Sequence, residues 1–235
     1  MGILTLVLDF LRRKLIQSLF TPNTPDMRVP NRFHRTFLRG SLILSLLAFA
    51  SAALCQTAST FTISKIEPQI VSTPAVSYSG APQKSSRPKS WLEIEVSFAW
   101  LPNSPTEKYA DDVLVNYYVL LANKTAATPT GTLLTGQVTH VSVPARVNDL
   151  KSVMYVSPRG LERFFDGKIP NSVSSAIVDI GVTISRQGQV LATKSLKGSG
   201  AWWPQFQQTP GFLLSKNETP FASLNSDYYE ETKKP

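Results

Sequence analysis

Ten consecutive residues, Trp91-Leu92-Glu93-Ile94-Glu95-Val96-Ser97-Phe98-Ala99-Trp100, alternate apolar and polar along most of their length. An extended chain sends successive side chains to opposite faces, whereas a helix would scatter both sets around its circumference. Leu92, Ile94, Val96, Phe98 and Trp100 therefore share a core face, and Glu93, Glu95 and Ser97 are expected to face water. Val113, Val115, Tyr117, Val119 and Leu121 form a second such row. In a third, Ala176, Val178, Ile180, Val182 and Ile184 alternate with Ile177, Asp179, Gly181 and Thr183. Gln187-Gly188 then supplies a turn, and Gln189–Ser195 returns as the second arm of a hairpin. Thr60–Ile66, Leu133–Val143 and Ser152–Val156 show weaker alternation and add further strands.

One segment departs from this grammar. Pro158 to Asp166 (PRGLERFFD) reads as a short helix or turn with Leu161, Phe164 and Phe165 on its buried side, placed to bridge two strands across the end of a sandwich. Thr73–Lys89 is rich in Pro and Ser and reads as a loop, as do the shorter Pro102–Lys108 and Lys124–Gly131. Seven to eight strands and one short helix give an all-β domain. Its one-sided alternation fits two sheets packed face to face, with a closed barrel as the competing architecture.

A different composition precedes the strands. Ser41–Ala53 (SLILSLLAFASAA) is an apolar run too short for a membrane-spanning helix, which needs about 20 residues. Met27–Arg39 before it carries four arginines and no acid, and small residues crowd its end. Basic region, apolar region and small-residue cleavage site are the order of a secretory signal peptide, expected over 27–55, with cleavage after Ala50, after Ala52 or just past Cys55. Met27 is the more natural start. Residues 1–26 then form an upstream extension, or else an amphipathic helix presenting Ile3, Leu4, Leu6, Val7, Phe10 and Leu11. The sole cysteine, Cys55, is a candidate for lipid attachment, although Leu54 replaces the small residue such signals want before it. An uncleaved anchor is the remaining alternative.

The net charge of +8 invites a nucleic-acid reading, but its distribution removes it. Residues 1–55 hold seven basic groups against two acids, and residues 56–235 hold 17 against 14. Once the leader is gone, no Lys/Arg cluster of the kind that tracks phosphates remains. The expected mature domain, 56–235, has no cysteine and one histidine, His140, so one copy builds neither a disulfide nor a Cys/His zinc site. No metal or other cofactor is expected. His140 reads as a strand-face residue rather than a catalytic base. Glu93 and Glu95 share one strand face about 7 Å apart, a separation a glycosidase can use, but alternating Glu on a solvated face is ordinary. Asp111-Asp112 is a weak calcium signal without further spaced oxygens. Gly198-Ser199-Gly200 lacks the frame of a nucleophile elbow, and no Gly-rich phosphate loop follows a strand.

The aromatic residues point elsewhere. Trp202-Trp203-Pro204 and Tyr228-Tyr229 are adjacent pairs, and on extended chain one ring of each faces in and the other out. Either the rings cap the core, or the outward ones, with Phe221, anchor a partner. Ala201-Trp202-Trp203-Pro204, followed by Asn217-Glu218-Thr219-Pro220-Phe221-Ala222-Ser223-Leu224-Asn225-Ser226-Asp227-Tyr228-Tyr229-Glu230, resembles the ending of pilus-like proteins encoded by verrucomicrobia in a type IV pilus-associated gene region. That resemblance implies an immunoglobulin-like sandwich exported to the periplasm, outer membrane or cell surface. It also implies a non-enzymatic role, with envelope or pilus proteins as partners. It does not make the chain a pilin: Gly40 follows a basic stretch, but Ser45 stands where a pilin carries its Glu. The alternative function is a carbohydrate-binding or hydrolytic β-domain of the envelope, which would use exposed aromatics with Glu93 and Glu95 as its acids.

Overall fold

The computed structural model describes residues 60–75, 87–125, 130–198 and 200–234, all within the unit that begins at Cys55. The expected leader, its cleavage positions, Cys55 and Ser199 lie outside the described residues.

Two sheets face each other. The long strands are β1 (Thr60–Ser72), β2 (Ser90–Leu101), β4 (Val113–Leu121), β5 (Leu133–His140), β7 (Leu150–Val156), β8 (Ile177–Arg186) and β9 (Gln189–Ser195). The other four among the described residues are ribbons of two or three residues: β3 (Tyr109–Ala110), β6 (Val143–Pro144), β10 (Gln208–Pro210) and β11 (Leu213–Ser215). The first sheet has the order β1-β2-β7-β11 and the second β10-β5-β4-β8-β9, and β3 pairs only with β6. The first, second and fifth long strands lie in one sheet, and the third, fourth, sixth and seventh in the other. This is the order of an immunoglobulin-like sandwich whose fourth strand has joined the second sheet.

The alternating rows become the core. Leu92, Ile94, Val96, Phe98 and Trp100 of β2 face Val113, Val115, Tyr117, Val119 and Leu121 of β4 within one cluster of buried side chains. In the third row, a register shift between Leu120 and Leu121 changes the facing of β8. Ala176 and Ile177 join the core, and Val178 turns to the outer face. A second irregularity, between Ile63 and Lys65, lets β1 continue to Ser72 beyond the expected Thr60–Ile66. Phe61 and Ile63 point inward before it and Ile66 after it. The β8–β9 hairpin turns on Gln187 and Gly188, both with positive φ, 54° and 78°, the geometry a two-residue loop needs to match strand twist.

The short helix α1 (Pro158–Phe164) carries the chain from β7 toward β8, as its composition implies. Ser157 caps it by accepting from the Gly160 amide (3.1 Å), and Pro158 occupies the first turn, where no amide is needed. Leu161 is buried, and Phe164 and Phe165 pack on the core. A single turn, α2 (Val173–Ala176), leads into β8.

Residues 201–234 behave as a belt. A 3-10 turn at Trp203–Gln205 rests on the outer face of the second sheet. β10 then extends that sheet alongside β5, and β11 extends the first sheet alongside β7. Phe221 and Tyr229 cross the outer face of the first sheet. Finally the chain enters the seam between the sheets, where the Glu230 amide donates to Lys151 O, and the Val141 and Lys233 amides bond with Glu231 O and Thr139 O. These main-chain bonds occupy edges that would otherwise stay open.

Candidate functional site

The belt covers a face expected to be wet. Glu93 and Glu95 are only 6% and 9% exposed, and Ser97 is buried with them. Alternation identifies which side chains share a face. It does not reveal that a distant segment covers that face. Trp91, Val153, Tyr155 and Phe221 form a second small core there. Phe221 stacks on Tyr155, with ring centres 4.8 Å apart, and meets Trp91 edge-on at 5.7 Å.

Buried carboxylates need partners, and these have them. Lys151 Nζ lies 3.1 Å from Glu95 Oε1 and 3.0 Å from Asp149 Oδ1, and donates to Ser97 Oγ at 2.7 Å. Tyr228 and Tyr229 donate their hydroxyls to the two oxygens of Glu95, each at 3.2 Å. Gln69 donates to Glu93. Burial disfavours the Lys151 charge, but Asp149 and Glu95 outweigh that cost and hold the ammonium above its usual range. Tyr229 is raised by burial first, then by the negative Glu93 and Glu95, and stays a protonated donor. No local sequence pattern singles out Lys151. Its only signal is a cation beside the weakly alternating segment 152–156.

A second polar chain crosses the core. Tyr117 Oη and Ser152 Oγ are 2.7 Å apart, and Ser152 Oγ is 2.8 Å from His140 Nε2. His140 Nδ1 lies 3.3 and 3.2 Å from the carbonyls of Glu230 and Glu231. Carbonyls only accept, so Nδ1 carries the proton and Nε2 accepts from the serine. Burial pushes the imidazole down to about 4, against the raising effect of the two backbone bonds. His140 is thus an inward strand residue, and the Ser–His contact lies in the interior, where both side chains are buried.

The five aromatic candidates divide between the two outer faces. Trp203 is buried, stacked 4.5 Å above Tyr118 and seated against Gly181. Trp202 meets Trp203 and Phe206 edge-on at 5.6 and 5.7 Å, stays half-buried, and donates from its indole to Ser195 Oγ. Both tryptophans therefore lie against the second sheet rather than one in and one out, because the chain turns into a 3-10 coil at Trp203. Phe221 is buried and Tyr229 half-buried under the first sheet, while Tyr228 is 50% exposed. Asp111 and Asp112 serve locally: Asp111 accepts from the Ser142 amide, and Asp112 pairs with Lys233 at 2.6 Å. Among the described residues no three His, Cys, Asp or Glu side chains gather as a metal site.

Sheet order, the seven long strands and the satisfied interior define a two-sheet immunoglobulin-like module. A family model spans residues 52–235, and the chain belongs to that family over its whole β domain. A crystal structure from Akkermansia muciniphila, of the Verrucomicrobia, shares the fold with a TM-score of 0.63 at 23% identity, covering 76% of this chain and 95% of that one. No curated protein matches the chain.

Proposed function

We propose that the chain is an exported, non-enzymatic module of the bacterial envelope, associated with pili or the outer membrane, which works by binding other envelope proteins. The observation that carries this reading is the ring cluster on the outer face of the second sheet. Tyr118, Trp202, Trp203 and Phe206 pack together there, and Trp202 remains half-exposed at the rim. Partly exposed aromatic rings held rigid by their neighbours suit a protein interface, because little freedom is lost on binding. The resemblance of the C-terminal ending to pilus-like proteins supports the setting, as does the signal-like leader. Reliance on Glu93 and Glu95 as glycosidase acids is disfavoured, since both are packed beneath the belt with fixed partners. Crosslinking in intact cells tests the proposal. A photoreactive residue at Trp202 is expected to give a discrete protein adduct, and Trp202→Ala to abolish recovery of that partner. No adduct from the envelope would overturn it.

A further inference from the structure

A cavity lies at the end of the sandwich where β1 finishes and β2 and α1 begin. It has a volume of about 390 Å³ and is lined by Thr73, Arg87, Lys89, Trp91, Ser157, Pro158 and Arg159. That size falls within the usual range for small-molecule pockets. Its polar side chains are nearly all donors. Arg87 and Arg159 present guanidinium groups with no carboxylate partner among the described residues, and Lys89 is shared with Glu162 at 3.1 Å. Ser157 Oγ already accepts from the Gly160 amide, leaving its hydroxyl hydrogen to give. Thr73 is spent locally, accepting from the Trp91 indole (3.1 Å) and the Lys89 amide (3.2 Å). With its N–H so engaged, Trp91 offers the cavity ring surface only, and Pro158 adds a second apolar wall.

We infer that this cavity binds a small organic anion: a carboxylate, sulfate or phosphate monoester on a nonpolar body. A ligand here must accept hydrogen bonds, carry negative charge and bury apolar surface. An oxyanion meets the two guanidinium groups, which bond such groups in forked pairs. A neutral polyol fits less well, because the lining side chains offer its hydroxyl hydrogens little beyond the second lone pair of Ser157 Oγ and do nothing to use the guanidinium charge.

Titration calorimetry on the full-length chain tests this with phenyl phosphate, benzoate, inorganic phosphate and benzyl alcohol. Phenyl phosphate and benzoate are expected to bind saturably, more tightly than inorganic phosphate, with benzyl alcohol silent. Arg87→Ala/Arg159→Ala should weaken phenyl phosphate about tenfold or more, while Lys108→Ala, in the β2–β3 loop, should leave it unchanged. Raising salt should weaken it further. Both arginines are exposed, and an unchanged circular dichroism spectrum verifies that the double variant folds. Absence of saturable binding, equal binding of benzyl alcohol, or equal loss in Lys108→Ala would each overturn the assignment. Binding of inorganic phosphate as tight as phenyl phosphate would remove the apolar half of it.

Discussion

Acidification should loosen this fold through one residue, His140. Its imidazole titrates near 4 in the folded chain against an ordinary value of 6.5, because burial between the sheets disfavours the charged form. The unfolded chain therefore binds more protons between those two pH values, and stability must fall as pH falls through them. At about 1.4 kcal/mol per pH unit, the full interval corresponds to roughly 3 kcal/mol, a large share of a typical domain's stability. The geometry explains the cost. A proton on Nε2 turns an acceptor into a donor facing Ser152 Oγ, which already takes the Tyr117 hydroxyl. The serine would then lose its own acceptor. Glu230 works in the opposite direction. Burial holds its carboxyl above the ordinary range, so the fold takes up that proton more readily than the unfolded chain does. The comparison is therefore wild type against His140→Gln, by urea denaturation between pH 7 and 4.5. The variant should be less stable at pH 7 by about 1–3 kcal/mol, since the carbonyls of Glu230 and Glu231 lose their donor. The gap should narrow steadily on acidification. A gap that stays constant, or widens, would refute the assignment of a neutral buried histidine.

Three further outcomes follow from the packing. Lys151→Met leaves Glu95 buried without its cation and should cost about 3–5 kcal/mol, whereas the double variant with Glu95→Met should recover most of that in chemical denaturation. Gly181→Ala places a methyl 2.1 Å from the Trp203 ring, so the ring must leave Tyr118; a loss of about 1–3 kcal/mol and an altered near-ultraviolet dichroism spectrum are expected, and an unchanged spectrum would contradict the stacking. Amino-terminal sequencing of protein recovered from the envelope should find a chain starting after Ala50, after Ala52 or just past Cys55; a chain that retains the leader would refute the signal peptide.

Strand positions were legible where alternation is uninterrupted. The rows in β2 and β4 place every expected core side chain inside because pairing there follows a strict period of two. Legibility ends where the ladder slips. The irregularity at Ser64 conceals the second half of β1, whose inward residues change parity, and the one near Leu121 sends Val178 outward. A slip depends on the partner strand, which a local pattern does not contain. The same limit governs the candidate site. Glu93 and Glu95 have the spacing of a wet strand face, and nothing within ten residues of them signals otherwise. Their cover comes from Phe221, Tyr228 and Tyr229, more than 120 residues away in the chain. The aromatic ending and the two glutamates are legible separately as chemistry, and only the fold makes them one structure. That union bears on the partner binding proposed above. Rings committed to Glu95 and Tyr155 are unavailable to a partner, so the half-exposed Trp202 and the exposed side of Tyr228 are what remain for recognition. They lie against opposite sheets, so a single flat partner cannot engage both, and separate alanine substitutions should affect separate contacts.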